Sequence, residues 1–597
     1  MKNILTTLVA EQVAKNPERV AFRYKQFPGG TEWEPTTWID FDNKIKELSL
    51  RLAEQGIGVQ DTIAIFSANR PEILISDFAA FSLRAIPVSI YSTSSAEQVK
   101  YIVNDSKASV LFVGNEAQYQ IAKSVAQEMP SLKTIVVYDN AETAEGDYSF
   151  ADFCSLPVAE GLATKVAMTT LQAKPDDIAT LIYTSGTTGE PKGAILTHSN
   201  FDAQLEIHQK ALPISSEWSS ISFLPMCHIF EKAWTYLCLS MGMVVWINNN
   251  PKDITKSLRE VRPNCMCSVP RFWEKAYATI TDKMSVMPWY KKAFVNYALH
   301  IGRRRNLDYA TRGLKVPTLL EMQYKFVESR IFMPLRKVMG IEKGYFFPTA
   351  GAPLSANITE FFHAMGINLV IGYGLSETTA TVSFFPPQGW QLGTVGEPLS
   401  IYEVRIGENN EIQLKSPTIM RGYFNKPKET AEAFTADGWF RTGDAGKLDP
   451  DTGAITLTER LKDLFKTSNG KYIAPQALEM RLGEDKYIEQ VAIIADKRKY
   501  VTALITPAFE AIMEYAQKKK IQYHTLEDLV KNSEIIKLIQ QRIDELQKGL
   551  ASFEQIKKFT LLPREFSMEL GELTNTLKIR RLIIAKHFAG EIEAMYV

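Results

Sequence analysis

The stretch Tyr183-Thr-Ser-Gly-Thr-Thr-Gly-Glu-Pro-Lys-Gly193 follows a short apolar run, residues 178–182, that is typical of a strand. Glycines let a backbone turn tightly and bring its N–H groups close to an anion, and hydroxyls add further donors. The candidate anion-binding residues of this stretch are Thr184, Ser185, Gly186, Thr187, Thr188, Gly189 and Lys192. The pattern predicts a loop that binds nucleotide phosphates, and a plain hydrophilic turn after a strand is the alternative.

The spacing of this loop differs from that of a Walker A loop, which has four residues between its glycines and then Gly-Lys-Ser/Thr. Here two residues separate Gly186 from Gly189, and Lys192 follows a proline. The order of residues instead resembles the signature of the AMP-forming adenylating enzymes, which include acyl-CoA synthetases, luciferases and peptide-synthetase adenylation domains. The resemblance covers nearly the whole chain.

Length and composition describe an ordinary globular protein of more than one domain. The chain has 597 residues, of which 45% are hydrophobic and 23% charged. Lys and Arg total 68, as do Asp and Glu, so the formal net charge is zero. This balance gives no support to bulk binding of nucleic acid, and small molecules are the expected partners.

The cysteines and the hydropathy bear on the compartment. The five cysteines include no CxxC pair, which argues against a disulfide framework and against a zinc site. No apolar run reaches the roughly 18 residues that a membrane-spanning helix needs. The N-terminus has too short an apolar region for a signal peptide. A cytoplasmic protein is therefore the prediction.

The first part of the chain alternates apolar strands with helical patterns, which predicts an α/β fold with a parallel sheet of βαβ units. The predicted strands and helices are 62–66, 71–83, 86–90, 96–103 and 109–113. A second group of strands, 243–247, 266–269 and 369–371, predicts another such sheet. From about Tyr402 the pattern changes to short β-like runs between turns.

After Lys462 a smaller unit begins, with predicted strands at 490–495 and 501–505 and helices near 525–549. We predict a boundary between an N-terminal domain, residues 1–461, and a C-terminal domain, residues 462–597. The resemblance implies that the large domain combines βαβ subdomains with a distorted β-barrel. It also implies that the small α+β domain is mobile about a hinge at Lys462.

A second glycine-rich stretch, Ile371-Gly-Tyr-Gly-Leu-Ser-Glu-Thr-Thr379, follows an apolar strand. Taken alone, Ser376 is an N-cap and Glu377 a carboxylate in the first turn of a helix. The resemblance implies instead that Tyr373 packs on adenine and that Glu377, with Thr184 nearby, holds the magnesium ion of ATP. A single carboxylate suits magnesium that is also bound by phosphate. Further candidate nucleotide contacts in this motif are Gly374 and Thr378.

Thr349-Ala-Gly-Ala-Pro-Leu354 resembles the adenine loop of the same superfamily, with Gly351 and Ala352 as candidate contacts. Ala350 stands where glycine is more usual, and its methyl group puts the backbone approach to the base in doubt. An ordinary Gly/Pro turn is the alternative.

Two further motifs are predicted to bind ribose. Asp444 ends Gly438-Trp-Phe-Arg-Thr-Gly-Asp444, and a carboxylate can accept hydrogen bonds from two hydroxyls. The resemblance implies that Arg460, in Glu459-Arg-Leu-Lys-Asp463, also contacts ribose. The alternatives are a Gly-Asp turn and a solvated charge run.

Near the C-terminus, Glu572-Leu-Thr-Asn-Thr-Leu-Lys578 resembles the segment whose lysine enters the active site during the first half-reaction. The resemblance therefore implies that Lys578 is catalytic, whereas a solubilising face is the alternative. Asn575 stands where proline is more usual, which leaves the stiffness of this loop in doubt.

The resemblance implies a two-step reaction. A carboxylate attacks the α-phosphate of ATP in line, giving acyl-AMP and pyrophosphate, and coenzyme A then takes the acyl group. Both first reactants are anions, so positioning and charge neutralisation are expected to supply most of the catalysis. Lys192 would neutralise the leaving phosphates, and Lys578 the α-phosphate and carboxylate.

Leu224-Pro-Met-Cys-His-Ile-Phe-Glu-Lys-Ala-Trp234 resembles a segment of long-chain acyl-CoA synthetases. His228 is therefore a candidate catalytic residue where acyl group and thiol meet, with a satisfied half-buried histidine as the alternative. Lys232 replaces the usual arginine, which puts a bidentate role in doubt. Gly470, in Thr467-Ser-Asn-Gly-Lys-Tyr-Ile-Ala-Pro475, is a candidate contact on the coenzyme A side.

Three hypotheses stay open: a long-chain fatty acid–CoA ligase, an adenylating enzyme that passes its acyl group to a carrier protein, and a non-catalytic fatty-acid uptake protein. The first is the leading hypothesis, and the joint presence of Lys192, Glu377, Asp444, Arg460 and Lys578 argues against the third. Aromatic and basic residues in 288–340 allow peripheral contact with the inner face of a membrane, although a solvated helical face is favoured.

Overall fold

The structure is a computed structural model that describes residues 4–26, 29–184, 190–461, 465–468, 471–574 and 578–597, side chains at 466 and 472 excepted. In chain order its strands are β1 (Val20–Tyr24), β2 (Glu34–Thr37), β3 (Thr62–Phe66), β4 (Ile86–Ile90), β5 (Val110–Val113), β6 (Thr134–Val137), β7 (Tyr148–Ser149), β8 (Ile178–Thr184), β9 (Lys192–Thr197), β10 (Ser219–Ser222), β11 (Val244–Ile247), β12 (Phe347–Thr349), β13 (Leu369–Leu375), β14 (Ala380–Phe384), β15 (Glu397–Pro398), β16 (Glu403–Ile406), β17 (Glu411–Lys415), β18 (Phe440–Leu448), β19 (Ile455–Arg460), β20 (Phe465–Lys466), β21 (Tyr472–Ile473), β22 (Ile488–Ile494), β23 (Val501–Pro507) and β24 (Ile556–Leu561).

The α-helices surround these strands. In chain order they are α1 (Ile4–Lys15), α2 (Trp38–Glu54), α3 (Pro71–Ser82), α4 (Ala96–Ser106), α5 (Glu116–Ser124), α6 (Phe150–Ser155), α7 (Leu162–Leu171), α8 (His198–Ala211), α9 (Ile229–Ser240), α10 (Ile254–Val261), α11 (Pro270–Ser285), α12 (Trp289–Arg303), α13 (Thr318–Val327), α14 (Met333–Met339), α15 (Ala356–Ala364), α16 (Pro427–Glu432), α17 (Pro475–Gly483), α18 (Phe509–Lys519), α19 (Leu526–Lys531), α20 (Ser533–Leu546), α21 (Arg581–His587) and α22 (Ala589–Ala594).

A seven-stranded sheet of order β7-β6-β5-β3-β4-β8-β9 forms the first subdomain. Its neighbouring strands are parallel except for β8 and β9, which form an antiparallel hairpin. Every residue of β3 and β4 is buried, as expected for parallel strands covered by helices on both faces. The predicted βαβ alternation is confirmed, with β3 and β4 at the predicted bounds.

A second sheet has two four-stranded parts, β10-β11-β1-β2 and β12-β13-β14-β15. Residues 265–268 join them through bridges from Cys265 to Ser220 and Phe346, and from Ser268 to Thr349. The predicted strand at 266–269 thus contains a single isolated bridge, at Ser268. The extended run is short because Pro270 begins α11 directly after it.

Short β-like runs were predicted from about Tyr402 onward. In this region strands β16 to β19 form an antiparallel four-stranded sheet. Backbone hydrogen bonds attach this sheet to the end of the second one. Val395 N donates to Ile455 O at 2.8 Å, and Ile455 N donates to Gly396 O at 2.9 Å. These bonds bring β18 and β19 beside the residues that follow β13.

The C-terminal part has its own sheet, β22-β23-β24, covered by α17 to α20. Its two hydrophobic clusters contain buried residues from Ile473 onward only, whereas the three clusters of the larger part end at Ile455. The expected mixed α/β architecture of large and small parts is confirmed. The boundary at 461/462 stays a prediction, and the hinge residue Lys462 lies outside the described residues.

Candidate active site

The phosphate-loop stretch lies in the turn between β8 and β9, at the edge of the seven-stranded sheet. Thr184 pairs with Lys192 across the hairpin, and the Thr184 hydroxyl donates to the Lys192 carbonyl at 3.4 Å. A Cβ atom on Gly193 would lie 3.0 Å from the Tyr183 ring, so the glycine leaves room for that ring. Five predicted phosphate contacts lie outside the described residues: Ser185, Gly186, Thr187, Thr188 and Gly189.

Lys192 and Glu377 converge on one tyrosine, Tyr423. The Lys192 ammonium lies 5.2 Å from the centre of the Tyr423 ring, a cation–π distance. The Tyr423 hydroxyl donates to Glu377 Oε1 at 2.7 Å. Burial and the Glu377 carboxylate raise the pKa of Tyr423 far above its ordinary value, so the phenol stays protonated and continues to donate. The structure therefore brings together the predicted phosphate-binding lysine and the predicted metal-binding carboxylate.

Sequence reasoning missed Tyr423, which is placed by an extra extended segment along β9. Phe424 N donates to Gly193 O at 2.8 Å, and Ile195 N donates to Gly422 O at 2.9 Å. These bonds fix the tyrosine beside the phosphate loop although about 230 positions separate them in sequence. The only local signal is an aromatic residue after a glycine, which is too common to identify a site.

The turn that carries Glu377 is a single 3₁₀ turn, residues Ser376–Thr378, and the expected helix from Ser376 is wrong. Thr379 and Ala380 have φ of 52° and 81°, which ends the turn and starts β14. Met420 N donates to the Glu377 carbonyl at 2.7 Å and holds the turn from the opposite side.

Two predicted contacts in this motif shape the turn itself. Thr378 is completely buried, and its hydroxyl accepts from Leu375 N at 3.0 Å, so in this conformation it does not reach the surface of the site. A Cβ atom on Gly374 would lie 1.6 Å from the Ala380 carbonyl oxygen, which requires glycine there. Both residues fix the direction in which Glu377 leaves β13.

The predicted adenine loop follows β12. Gly351 has a φ of 95°, a left-handed conformation that glycine adopts without strain, and nothing lies within 4 Å of where its Cβ atom would be. Ala352 beside it is exposed, so both predicted contacts are accessible. Upstream, the Thr349 hydroxyl accepts from Trp273 Nε1 at 3.0 Å and lies 2.8 Å from the Ser268 hydroxyl. The loop therefore begins at the buried, hydrogen-bonded end of β12.

Asp444 and Arg460 are direct partners on neighbouring strands, β18 and β19. Arg460 Nε donates to Asp444 Oδ1 at 3.1 Å, and the Tyr373 hydroxyl donates to Asp444 Oδ2 at 2.7 Å. Each carboxylate oxygen keeps further acceptor capacity, because an oxygen of an ionised carboxylate has more than one lone pair. Tyr373 is only 7% exposed, so a base can contact just a small part of its surface.

His228 precedes α9, and its ring Nδ1 accepts from Phe230 N at 3.2 Å. Burial, together with the positive charge of nearby Lys578, lowers the pKa of the His228 imidazole to about 4. The ring is therefore neutral at pH 7 with its proton on Nε2.

The loop before His228 is anchored by two side chains that the sequence analysis did not single out. Asn69, after β3, donates to Leu224 O at 2.7 Å and accepts from Met226 N at 2.9 Å. Glu231 is fully buried and accepts from Leu224 N at 3.1 Å. Burial raises the pKa of the Glu231 carboxyl to about 8, so the anchoring group is mostly protonated at pH 7.

Lys232, which stands where arginine is usual, forms a buried ion pair with Asp77. Its ammonium donates to Asp77 Oδ2 at 2.6 Å, and the Tyr236 hydroxyl donates to the same oxygen at 2.8 Å. Asp77 Oδ1 has no hydrogen-bond partner among the described residues. Lysine donates as a point charge and leaves that oxygen unused, whereas arginine can donate to both oxygens. Lys232 therefore has a structural role in the core next to the helix that follows His228.

Lys578 is joined to Thr574 by two hydrogen bonds. Its backbone N donates to Thr574 Oγ1 at 3.0 Å, and Thr574 N donates to Lys578 O at 2.8 Å. Glu572 secures the chain just before Thr574: its buried carboxylate accepts from both Nη atoms of Arg564, at 2.7 and 2.6 Å, and lies 2.9 Å from His587 Nδ1. Asn575, like Gly470 on the predicted coenzyme A side, lies outside the described residues.

The sequence is similar to known proteins over almost its whole length. The model of the AMP-binding enzyme family matches residues 9–424, and that of the AMP-binding enzyme C-terminal domain matches residues 462–597. The long-chain-fatty-acid–CoA ligase FadD15 of Mycobacterium bovis is 31% identical, with 99% of this chain and 97% of the relative covered. Human long-chain-fatty-acid–CoA ligase 1 is 29% identical over 94% of this chain and 83% of its own.

Solved structures share the fold. The adenylation domain of a carboxylate reductase from Mycobacterium chelonae matches with a TM-score of 0.75 and 21% identity, covering 99% of this chain and 91% of its own. O-succinylbenzoate coenzyme A synthetase from Bacillus subtilis, solved with ATP and magnesium, has a TM-score of 0.67 and 20% identity, covering 96% of this chain and 98% of its own. The family match spans well over half of the chain, and the protein therefore belongs to the AMP-binding enzyme family.

Proposed function

We propose that this protein is an AMP-forming long-chain fatty acid–CoA ligase. It converts a fatty acid and ATP into acyl-AMP and pyrophosphate, and then transfers the acyl group to coenzyme A with release of AMP. The observation that carries the proposal is the 31% identity, over 99% of this chain, to a protein named long-chain-fatty-acid–CoA ligase. The convergence of Lys192 and Glu377 on Tyr423 and the ion pair of Arg460 with Asp444 support it.

The nucleoside end of ATP is held by the second and third sheets. Asp444 accepts the two ribose hydroxyls, and its position is fixed by Tyr373 and Arg460, one at each carboxylate oxygen. The exposed Gly351 and Ala352 line the adenine side. Because these groups are positioned by β-strands, the α-phosphate is held in one orientation for in-line attack.

The phosphate end is held by the hairpin turn and by Glu377. Lys192 neutralises the leaving pyrophosphate, and the cation–π contact with Tyr423 keeps its ammonium close to Glu377. Glu377 and the Thr184 hydroxyl fit magnesium, which in nucleotide sites needs one or two carboxylates beside phosphate oxygens. When bound, that ion neutralises phosphate charge.

Lys578 supplies the positive charge at the reacting centre. In the first step it pairs with the α-phosphate and the incoming carboxylate, both of which are anions. His228 faces the same place as a neutral imidazole, so it adds no charge and can donate a hydrogen bond from Nε2. In the second step the thiol of coenzyme A attacks the acyl-AMP, and Lys578 withdraws when the C-terminal domain, residues 462–597, turns about Lys462.

Two other hypotheses differ in measurable ways. A carrier-protein enzyme forms acyl-AMP but no thioester with coenzyme A, and a non-catalytic uptake protein forms neither. The test is pyrophosphate release with saturated fatty acids of graded length, with and without coenzyme A. We expect release with long-chain acids and acyl-CoA only when coenzyme A is present. Absence of release with every acid would refute the ligase, and adenylate without thioester would favour the carrier-protein version.

We place the reaction in the cytoplasm, where ATP and coenzyme A are supplied. No helix in the described parts of the chain is both long and apolar enough to cross a bilayer. Fractionation of cells that express the full chain tests this location, because an extracellular protein would be recovered outside the cytoplasmic and membrane fractions.

A further inference from the structure

One strand–helix unit of the first sheet, β3 with α3, contacts the chain on both sides of His228. Asn69 lies in the turn between β3 and α3, and its side chain binds the backbone of residues 224–226. Asp77, on α3, accepts at 2.6 Å from Lys232 of α9, the helix that begins directly after His228. The same unit therefore holds the chain before His228 and the helix after it.

The Asn69 side chain uses both of its polar atoms on the segment before His228. Its Nδ2 donates to Leu224 O at 2.7 Å, and its Oδ1 accepts from Met226 N at 2.9 Å. A carboxamide carries a donor and an acceptor in one planar group, so it can bind a carbonyl and an N–H that lie two residues apart. Asn69 is only 6% exposed, so water competes little for these two hydrogen bonds.

Two further hydrogen bonds connect this segment to His228 and to α9. Pro225 has no N–H, and its carbonyl accepts from His228 N at 2.9 Å. Leu224 N donates to the buried Glu231 carboxyl group at 3.1 Å. Without the carboxamide, a carbonyl and an N–H of the segment would lose their partner, which is costly for buried backbone groups. The segment would then shift to find other partners, and His228 would shift with it because its own N–H is bonded to Pro225.

The backbone beside Asn69 is itself firmly held. The guanidinium of Arg70 is buried and donates to Gly114 O at 2.7 Å and to Asp139 Oδ1 at 2.9 Å. Pro71 begins α3, and its ring fixes the direction of the chain there. Elements of the first sheet therefore set the position of Asn69, independently of the segment that it contacts.

We propose that Asn69 is a positioning residue that sets the place of the His228 imidazole where acyl group and thiol meet. It acts through the segment 224–226 and takes no part in the chemistry itself. The inference rests on the proposed function, in which His228 donates a hydrogen bond from Nε2. A displacement of about 1 Å at a reacting group can cost on the order of 100-fold in rate, so a support a few residues away is enough to control the step.

A double-mutant cycle tests whether Asn69 acts through His228. Asn69→Ala should lower kcat for pyrophosphate release with a long-chain acid about tenfold or more, since two buried backbone groups lose their partner. In the His228→Gln background the same change should cost less than about twofold, because the group that it positions is gone. Asn306→Ala, which removes a 2.8 Å bond to His363 O, is the matched control and should stay within about twofold of the unaltered enzyme. Additive losses, or no effect of Asn69→Ala, would overturn the proposal.

Chemical modification tests the position of the ring without any substrate. Diethylpyrocarbonate reacts with neutral imidazole nitrogens, and peptide mass spectrometry gives the rate at each histidine. We expect Asn69→Ala to speed modification of His228 about fivefold or more, while the buried His198, His208 and His363 keep their rates. Equal acceleration at all four would show a general loosening of the fold and would overturn the proposal, as would an unchanged rate at His228. Because neither ATP nor acid is present, this measurement is independent of whether the protein is a ligase.

Discussion

The Tyr423 hydroxyl donates a 2.7 Å hydrogen bond to Glu377, and this bond joins a segment on the edge of the first sheet to the turn between β13 and β14 of the second. The ring of the same tyrosine lies 5.2 Å from the Lys192 ammonium. One side chain thus spaces the two groups that we assign to the phosphates and to magnesium. Its two contacts can be separated by mutation.

Tyr423→Phe removes the hydrogen bond to Glu377 and keeps the ring beside Lys192. A hydrogen bond to a charged group is worth about 1.5–3 kcal/mol, so we expect pyrophosphate release at limiting magnesium-ATP to fall roughly 10- to 100-fold. Tyr423→Leu, which also removes the ring, should lose more. Steady-state kinetics against magnesium-ATP measure both. Tyr345→Phe, at an exposed ring stacked on Trp218, is the control, and equal rates for Tyr423→Phe and the unaltered enzyme would contradict the role of the bond.

Lys578→Ala should separate the two half-reactions. Adenylate formation should fall on the order of 100-fold or more, because a positioned charge at the reacting centre is lost. Thioester formation from supplied acyl-AMP and coenzyme A should change only a few-fold. Single-turnover assays of each half measure this, with Lys586→Ala on α21 as the control. An equal loss in both halves would argue against a lysine that withdraws between the steps.

Glu572→Gln should weaken the loop that presents Lys578. The carboxylate is buried, and its contacts with Arg564 and His587 lower its pKa to about 2 despite the burial. A carboxyl group with a lowered pKa stabilises the fold above its unfolded-state pKa of about 4.3, and this stabilisation is lost as the pH falls toward 2. The amide cannot replace the charge, so we expect a loss of about 1–3 kcal/mol in unfolding free energy at pH 7.

Urea unfolding followed by tyrosine fluorescence and circular dichroism measures this loss. The variant should lose adenylation more than thioester formation, since only the former uses Lys578 in the site. Glu569→Gln, at an exposed position of the same loop, is the matched control. Unchanged stability together with unchanged adenylation would show that Glu572 does not support the loop.

Three buried histidines should make the protein sensitive to mild acid. Burial lowers the pKa of His198, His208 and His363 to about 4. The unfolded chain binds protons at these positions below about pH 6.5, whereas the folded chain does so only near pH 4. Stability is therefore lost as the pH falls from about 6.5 to 4, by up to about 1.4 kcal/mol per pH unit for each histidine.

Proton uptake on unfolding at pH 5 checks this prediction by potentiometry. His363→Gln should take up nearly one proton fewer than the unaltered protein, because Gln does not titrate. His524→Gln, at an exposed position, is the matched control. Identical uptake by His363→Gln and the unaltered chain would contradict the neutral state of the buried ring.

Much of the site could be predicted from the sequence because its groups occur in short motifs. The loop around Lys192, the turn with Glu377 and the strand that carries Asp444 each combine a glycine requirement with a chemical group. Such local patterns survive in a single sequence. The buried strands β3 and β4 were predictable for a similar reason, since continuous apolar runs between helical patterns leave few alternatives.

Tyr423, Asn69 and Glu572 could not be predicted, because their roles depend on partners far away in the chain. Asn69 serves the loop before His228 across 155 residues, and its two hydrogen bonds have no local sequence signature. The short extent of the turn at Glu377 was also missed, since no local sequence signal marks the positive φ that Thr379 adopts.

The sequence by itself determined the chemical groups of the site, their order along the chain and the family of the protein. It could do so because glycine-rich turns and the charged residues beside them occur within a few consecutive residues. Only the tertiary structure decided which groups meet. How separate elements pack decides the pairing of Tyr423 with Glu377, the ion pair of Arg460 with Asp444 and the hydrogen bond from Asn69 to the loop before His228. Packing is a sum of many weak contacts between distant residues, and no single motif contains that sum.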